Sequence, residues 1–516
     1  MSQSRVWSVL SRAIATRAFA IVTVAVFVLQ SGWLAIVSRR SIYDEIYHLK
    51  IIQYFATKST PFAHQPATLE GVGDVSRYGS YLYHYLLSWP YRWLAGAGAG
   101  NFSTWITLRL ITVLISAAAL VVVRQVLLEL GASCGQANIS MAVTSLTPLL
   151  VVLAGVVNYD NLLFLMVAVF LLYAVRLCKT DHFDPGSWFG LLAAGGFASV
   201  TKYVFLPILA VVGVWVAVRQ IIAFHGSWLA STRDYFGRTA ARAGVRVRRV
   251  AVAVLAAGGI ALFVERYVVN IFVYGSPNPG CQRVLSLAVC STYAPWERNE
   301  QLEKTYSAVP MTAGRAISFL THQWWPQMSE NLTYFGVVRA NGTLAATYGP
   351  SILGQIVLWG VPLVVGLVVV GFPLIRKAPG VTMILAGCGG YVAALFVQNL
   401  SDFLHTGSPM GIQGRYLLVV LPYAIGLSCM VLGRILERRD ATTQRWKVFL
   451  LVLAILGAPQ GGGMLSYLQS SDRDWLNLPD GAVSTITVRG QEFARRIVVP
   501  DRLVFDPRSL GTSGPS

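Results

Sequence analysis

The sequence predicts an all-α polytopic membrane protein with about eleven transmembrane helices. Two observations lead to this fold class. Hydrophobic residues make up 55% of the 516-residue chain and charged residues only 12%, well below the roughly 25% charged residues of ordinary soluble domains. Apolar runs of about 20 residues, the length that crosses a bilayer, recur along the chain. Helices are expected because they satisfy their own backbone hydrogen bonds in lipid.

The apolar runs define the expected spans and the expected units of the chain. The runs fall at 18–38, 104–126, 137–157, 161–178, 187–200, 203–219, 250–273, 351–375, 380–399, 415–434 and 447–466. The expected units are a transmembrane module at 1–273 that includes an outer loop at 39–103, an outer loop region at 274–350, C-terminal transmembrane helices at 351–466 and a tail at 467–516. Loops of this length usually carry function or short helices of their own, so we expect short juxtamembrane helices in both.

The distribution of arginine predicts the orientation. Loops on the cytoplasmic side of a membrane carry an excess of Lys and Arg close to the spans. The segment 219–249 contains seven arginines and one acid, so we expect it inside, together with the N-terminus, and the C-terminal tail outside. These loops also explain much of the net charge of +18, and a nucleic-acid partner is not expected. The arginine-rich chain indicates a bacterial inner membrane.

The cysteines fit the same topology. Only Cys281 and Cys290 fall in an expected outer loop. In an oxidising compartment such a pair forms a disulfide, and the alternative is two buried thiols. Sites for nucleotides are missing from the sequence, since it contains neither a phosphate-binding Walker loop nor a dinucleotide fingerprint. We therefore expect no nucleotide cofactor.

Two acids and a histidine follow the first span directly. If this segment is helical, Asp44 and His48 lie four residues apart on one face, and Glu45 lies on the neighbouring face. Such a group can act as a base, as a metal site or as both. The alternative is the solvated start of a helix on the membrane surface. His64 and His84 stand alone in the sequence and are interpreted as interfacial residues.

Further charges lie at the outer ends of later spans. Asp160 is in the turn between spans three and four, Lys202 is between spans five and six, and Arg415 precedes span ten. Ionisable groups at membrane depth are costly and commonly functional. Two acids and two cations at one face suit an anionic, phosphorylated substrate. The alternatives are that Lys202 and Arg415 extend to the interface and that Asp160 caps a helix. Arg109 is interpreted as a structural charge.

At this point the chain resembles a known superfamily, the GT-C glycosyltransferases, over roughly residues 15–435. The motifs that carry the resemblance are Asp44-Glu45-X-X-His48, the Tyr-rich stretch from Ser80, Leu108-Arg-Leu, Asn158-Tyr-Asp160, Thr201-Lys202-Tyr203 and Gln413-Gly-Arg415-Tyr-Leu. The last motif is similar to a subgroup of predicted bacterial membrane proteins in that superfamily.

The resemblance implies a role for each matching residue. Asp44 would be the catalytic base, with Glu45 and His48 shaping its site. Asp160 would help to bind the acceptor or, with Asp44, a divalent metal such as Mg²⁺ or Mn²⁺. Lys202 would contact the lipid phosphate of the donor, and Arg415 could do the same. Tyr203 adjoins the lysine. Relatives often carry Lys-Pro-Pro or Pro-Pro before the Tyr-rich helix, where this chain has Arg77-Tyr-Gly-Ser. Arg77 is therefore the residue that could make the phosphate or acceptor contact of that motif.

The function implied by the resemblance is an inverting glycosyltransferase. It would move a sugar from a polyprenyl-phosphate donor in the membrane lipids to a glycan, glycolipid or protein acceptor on the outer face. One alternative is a transporter or flippase for a lipid-linked sugar, which would favour internal repeats and charges near the midplane. Another is a non-catalytic subunit of an envelope-assembly complex, which would tolerate the loss of Asp44.

Overall fold

The computed structural model describes most of the transmembrane chain. The described residues are 9, 11–39, 44–180, 183–223, 228–236, 243–333, 336–340, 343–347, 360–436, 464 and 481–497. Within them, six helices are long and apolar enough to cross a membrane. They are Arg17–Val37, Asn101–Glu129, Asp160–Lys179, Tyr203–Ile222, Gly244–Tyr274 and Val381–Thr406. A seventh span results if Cys134–Ser145 and Pro148–Ala154, which meet at a bend of 69°, are counted as one.

We number the helices of these ranges in chain order. They are α1 Arg17–Val37, α2 Glu45–Ala56, α3 Leu82–Gly96, α4 Asn101–Glu129, α5 Cys134–Ser145, α6 Pro148–Ala154, α7 Asp160–Lys179, α8 Pro185–Thr201, α9 Leu206–Ala223, α10 Trp228–Phe236, α11 Ala243–Phe263, α12 Val269–Tyr274, α13 Cys281–Val284, α14 Leu287–Ser291, α15 Ala294–Thr305, α16 Ala313–Phe319, α17 Trp325–Thr333, α18 Gly360–Ile375, α19 Val381–Thr406, α20 Leu421–Leu436 and α21 Ala482–Ile497. Short 3-10 segments at Tyr203–Phe205 and Gly414–Val419 precede α9 and α20.

The prediction of a helical chain with several spans is confirmed, but the count of eleven is not. The expected span 137–157 is divided where Pro148 begins α6 after a bend, because proline cannot continue the hydrogen bonding of the preceding helix. The run 415–434 opens with a 3-10 segment, and α20 begins only at Leu421. The run 351–375 is described from Gly360 onward, and the run 447–466 lies outside the described residues except for Met464.

Helix α8 is a buried helix in the middle of the molecule. It has 17 residues and packs against α7 and α11. A methyl group built on Gly196 of α8 would lie 2.4 Å from the backbone of Gly259 in α11, so only glycine allows the two backbones to approach this closely. Small residues commonly permit such contacts between membrane helices. The tight packing fixes the end of α8, where Lys202 follows.

The two long segments between spans carry most of the short helices. Residues 39–103 contain α2 and α3, which pack against each other, and residues 274–350 contain α13 to α17. The second segment also contains an antiparallel hairpin of Gly336–Ala340 with Thr343–Thr347, in which Ala340 pairs with Thr343. The intervening sequence is Asn-Gly, which favours a tight hairpin turn. The apolar pattern did not predict these strands.

Candidate functional site

Four charged side chains from distant parts of the chain meet in one row, which we call the charge row. Arg415 donates from Nη2 to Asp44 Oδ2 at 2.9 Å. On its other side, Arg415 Nε lies 3.6 Å from Asp160 Oδ2, and Lys202 donates from Nζ to Asp160 Oδ1. Acids and cations therefore alternate along the row. The structure brings together the two acids and two cations that the sequence places at one face.

Helix ends position the charge row. Asp44 precedes α2, Asp160 is the first residue of α7, Lys202 follows α8, and Arg415 lies in the 3-10 segment before α20. The side chains of Asp160, Lys202 and Arg415 are between 2% and 4% exposed, whereas that of Asp44 is 42% exposed. Buried charges need partners, and the row supplies them. Asp44 is the member of the row that remains accessible.

The backbone at Asp44 is unusual. Its φ is +61°, and it is the only residue other than glycine with a positive φ in the described part of the chain. This left-handed conformation costs a side-chain-bearing residue about 1–3 kcal/mol and occurs often at functional sites. Aspartate tolerates it better than most residues. Asp44 occupies the N-cap position of α2, but its carboxylate makes no capping hydrogen bond and binds Arg415 instead.

Lys202 is held in an aromatic environment. Its Nζ lies 4.5 Å from the ring centre of Tyr159 and 4.3 Å from that of Tyr416, so both ring faces stabilise the ammonium ion. Burial lowers the pKa of Lys202 to about 8, although the adjacent Asp160 acts in the opposite direction. Lys202 is therefore a cation whose charge can change at mildly alkaline pH.

A cavity of about 260 Å³ adjoins the accessible end of the charge row. Its lining combines polar groups with aromatic rings from the two long segments between spans. The lining includes Asp44, Tyr47, His48, Asp74, Tyr78, Ser80, His84, Tyr159, Tyr293 and Trp296. The mixture of carboxylates, imidazoles, hydroxyls and rings suits a small polar molecule with apolar faces, such as a sugar.

One wall of the cavity is formed by the segment that contains the two outer cysteines. The structure joins Cys281 and Cys290 in a disulfide, with their Cα atoms 5.9 Å apart. Cys281 lines the cavity directly, as do Tyr293 and Trp296 just beyond Cys290. Gly71 of the opposite segment donates its backbone N–H to the Thr292 hydroxyl at 2.8 Å. The disulfide therefore fixes the shape of this wall, and the Gly71–Thr292 hydrogen bond holds the wall against the loop that follows α2.

Glu45, next to Asp44, faces away from the cavity. It is fully buried and forms an ion pair with the equally buried Arg109 at 2.7 Å. Its carboxylate also accepts hydrogen bonds from the Trp105 indole at 3.1 Å and from the Val157 backbone N–H at 2.8 Å. Glu45 is thus placed with the structural charges rather than at the cavity, and Arg109 is a paired charge.

Arg77 and Tyr203 lie to either side of the site. Arg77 donates to the Glu265 carboxylate at 2.7 Å and to the Asn270 side chain at 2.7 Å, and it does not line the cavity. The Tyr203 ring lies 5.9 Å from the ring of Tyr78, which does line it. Tyr203 therefore supports the cavity wall, while Arg77 fastens the loop before α3 to the end of α11.

His48 and His84 form a pair that the sequence did not reveal. His48 Nδ1 and His84 Nε2 are 2.8 Å apart, and the two rings lie edge to edge, with their planes at 22° and their centres 5.0 Å apart. Both histidines line the cavity. The interpretation of His84 as an isolated interfacial residue is therefore wrong in this structure. Helix α3 packs on α2 and brings together two rings that are 36 positions apart in the sequence.

Asp74 is a cavity residue that sequence reasoning missed. Its Oδ1 accepts hydrogen bonds from the Ser76 hydroxyl at 2.9 Å and from the Arg77 backbone at 3.0 Å. Its Oδ2 is buried and has no hydrogen-bond partner in the described ranges, and burial raises the pKa of Asp74. The signal in the sequence is the Asp-X-Ser-Arg turn, which is common in loops and therefore did not stand out.

The donor set of the site does not fit a divalent metal. The oxygens of Asp44 and Asp160 face Arg415 and Lys202, and Mg²⁺ or Mn²⁺ would have to displace these cations from them. The described residues contain no group of three or more His, Cys, Asp or Glu side chains that could hold a metal ion. We derive no step through a metal at this site.

Comparisons with known proteins show a likeness in structure and none in sequence. No family model matches the chain, and no curated protein matches it. Among solved structures, the chain is similar to the crystal structure of ArnT from Cupriavidus metallidurans bound to undecaprenyl phosphate, with 15% identity and a TM-score of 0.39. The match covers 88% of this chain and 64% of the ArnT chain, so this chain spans less than two thirds of that protein. A likeness at this level transfers no residue roles.

Proposed function

We propose that this protein is an inverting glycosyltransferase that moves a sugar from a polyprenyl-phosphate donor to an acceptor. The acceptor is a glycan, a glycolipid or a protein on the outer face of a bacterial inner membrane. The observation that carries the proposal is the charge row, which ends in one accessible carboxylate at a polar, aromatic-lined cavity. It supplies a base and two cations within one site, the groups that transfer from a sugar phosphate requires.

The two cations of the charge row suit the phosphate of the donor. An arginine presents five N–H donors and a lysine three, so Arg415 and Lys202 can each bind a carboxylate and a phosphate oxygen together. Both are almost fully buried. Charge that develops on a leaving phosphate is stabilised most strongly by cations that are already fixed in a site that excludes water.

An apolar groove near Arg415 supports a lipid-linked donor. The groove has a volume of about 240 Å³ and is lined by Leu417 and Leu421, which follow Arg415 closely in the chain, and by residues of α18 and α19. Its lining is almost entirely apolar, as an isoprenyl chain requires. A phosphate at Arg415 could therefore continue into a hydrocarbon chain in this groove without leaving the protein surface.

Asp44 is the base in this proposal. Its Oδ2 binds Arg415, which keeps the carboxylate oriented, and its accessible side chain faces the cavity. The acceptor oxygen or nitrogen attacks the anomeric carbon, and the bond from that carbon to the phosphate oxygen breaks. The bonding electron pair leaves with the phosphate, which Lys202 and Arg415 hold, and the proton of the acceptor passes to Asp44. Attack from the side opposite the phosphate inverts the anomeric centre.

The test is donor consumption by the purified full-length protein in proteoliposomes. A panel of polyprenyl-phosphate sugars is supplied together with a bacterial envelope extract, and the release of unglycosylated polyprenyl phosphate is followed by mass spectrometry. We expect release that depends on the extract and is lost in Asp44→Asn. Glu70→Gln is the matched control, since this exposed carboxylate lies in the same segment and does not line the cavity.

Two outcomes would favour the alternatives. If the labelled donor moves between leaflets without releasing polyprenyl phosphate, and Asp44→Asn moves it equally well, the protein is a transporter. If membranes that carry Asp44→Asn make normal envelope glycans whereas membranes without the protein do not, the chain is a non-catalytic subunit. Either result contradicts a transferase with Asp44 as its base.

A further inference from the structure

The histidine pair lies at the inner wall of the cavity. His48 of α2 and His84 of α3 are 4% and 1% exposed, and the ring edge of Tyr159 packs against His48 with centres 4.6 Å apart. The Nδ1–Nε2 distance of 2.8 Å between the two imidazoles is that of a hydrogen bond. His48 also lies one helical turn after Asp44, so both can face the same ligand.

Both rings are neutral. Burial lowers the pKa of His48 well below its usual value, and the nearby His84, Arg415 and Lys202 lower it further. Burial lowers the pKa of His84 to about 3. A neutral imidazole carries one N–H and one lone pair. The short contact therefore contains a single proton, given by one ring and accepted by the other.

The proton in this contact decides what remains on Nε2 of His48. If His48 Nδ1 donates to His84 Nε2, Nε2 of His48 keeps a lone pair, and if His84 Nε2 donates, Nε2 of His48 carries the N–H. Nδ1 of His84 is buried and has no hydrogen-bond partner among the described residues, so it selects neither arrangement. In both arrangements Nε2 of His48 has one hydrogen-bonding function, and a hydroxyl group can satisfy either one because it both donates and accepts.

Nε2 of His48 lacks a partner inside the protein. It is buried and contacts no hydrogen-bond partner among the residues that the structure describes. A buried polar atom without a partner is unfavourable, and such atoms at a cavity commonly receive their partner from the bound molecule. The rings of Tyr47, Tyr159 and Tyr293 around the cavity offer flat apolar surfaces to the same molecule.

We propose that His48 Nε2 forms a hydrogen bond with a sugar hydroxyl of the acceptor, and that His84 is the positioning residue that holds the His48 ring through its Nδ1. The inference rests on the proposed function and narrows it. Asp44 takes the proton of the attacking hydroxyl, and His48 binds a neighbouring hydroxyl of the same ring. A saccharide acceptor, free or as part of a glycolipid, supplies both hydroxyls, whereas the side chain of a serine or threonine supplies only one.

The first experiment reads the tautomer without any substrate. The full-length protein, whose sequence contains seven histidines, is labelled with ¹⁵N-histidine, reconstituted in nanodiscs and studied by NMR between pH 5.5 and 8. We expect His48 to be neutral throughout, with its Nδ1 in a hydrogen bond to His84. His84→Leu should abolish this hydrogen bond, and His84→Gln should restore one, because an amide group can accept from Nδ1 or donate to it. His64→Leu removes an exposed imidazole of the same segment and should change nothing at His48.

The second experiment uses the transfer assay with saccharide acceptors. His84→Leu should raise the KM for the acceptor about tenfold, as the loss of one hydrogen bond does, and leave the KM for the donor unchanged. His84→Gln should recover the wild-type value. An unchanged acceptor KM in His84→Leu overturns the inference, as does a positively charged His48 in the wild-type spectra. Absence of transfer in the wild-type protein, with the hydrogen bond between the two histidines present, contradicts the proposed function rather than the arrangement of the pair.

Discussion

Asp44 and Glu45 are neighbours in the chain and have opposite surroundings. Glu45 is fully buried against a fully buried arginine, with every hydrogen bond made inside the protein. Asp44 also binds an arginine, but 42% of its side chain is exposed and it lines a cavity. The comparison separates a pair of charges that holds the structure together from a pair that is available for chemistry.

The buried pair explains how the accessible one is held. Besides Glu45, Arg109 donates to the backbone carbonyls of Ala35, Ser38 and Arg39 at 2.8 to 2.9 Å. The last carbonyls of a helix lack partners within the helix, so Arg109 satisfies the end of α1 and ties it to the start of α2. Asp44 lies in the chain between the end of α1 and Glu45 of α2, and its conformation is strained. The contacts of Arg109 on both sides hold it in this conformation.

The largest effect is expected where this buried pair is broken. Glu45→Gln leaves the Arg109 guanidinium buried without a counter-charge, and breaking such a pair typically costs about 3–5 kcal/mol. We therefore expect a large loss of folded protein, measured by the yield of monodisperse protein and by thermal unfolding in detergent. Glu129→Gln is the control, because Glu129 is likewise paired with cations, Arg176 and Lys179, but in partly exposed pairs of less than about 1 kcal/mol.

A double substitution sharpens this prediction. Replacing Glu45 and Arg109 together by Gln removes both buried charges, keeps hydrogen-bonding amides at both positions, and should recover part of the stability that Glu45→Gln loses. If Glu45→Gln is as stable as Glu129→Gln, the pair does not hold the end of α1, and the contrast with Asp44 disappears.

The accessible pair should behave in the opposite way. Asp44→Asn keeps the size of the side chain and the tolerance of the left-handed backbone, so stability should change by less than about 1 kcal/mol. Removal of the base should lower the rate of transfer by about 10²–10⁴-fold. Release of polyprenyl phosphate and thermal unfolding, measured on the same preparation, separate the two effects. Normal turnover of Asp44→Asn would remove the base from the mechanism.

The decline of donor binding at alkaline pH should depend on the charge of Lys202. Because its pKa is lowered to about 8, the side chain is an ammonium ion below this pH and neutral above it. Binding of polyprenyl phosphate in nanodiscs should therefore weaken as pH rises through 8, by at most about tenfold per pH unit. Lys202→Arg keeps its charge up to about pH 12 and should abolish this decline. Equal binding by the wild-type protein at pH 7 and pH 10 would show that Lys202 does not hold the phosphate.

The sequence predicted the membrane class and the members of the charge row for different reasons. Long apolar runs and charge at the ends of spans are local signals, and they located Asp44, Asp160, Lys202 and Arg415. Contacts between distant segments have no local signal. The pair of His48 with His84 and the partners of Glu45 depend on how α2, α3 and α4 pack. In the described ranges, two of the expected spans are interrupted, because hydropathy does not register a bend such as that at Pro148 or a 3-10 segment such as that before α20.

The smallest effect is expected at Arg77, the cation outside the cavity. It pairs with Glu265 at 2.7 Å, and the side chains of the two are 18% and 27% exposed, so solvent screens much of their attraction. Arg77→Lys keeps the charge and loses the hydrogen bond to Asn270, and stability should fall by about 1 kcal/mol. Binding of polyprenyl phosphate should be unchanged in Arg77→Lys. It should weaken in Arg415→Lys, because a lysine lacks the planar guanidinium group that can bind Asp44 and a phosphate together. If Arg77→Lys weakens donor binding as much as Arg415→Lys does, the phosphate site extends to the loop before α3. Arg77 would then belong with the charges that are available for chemistry and not with those that hold the structure together.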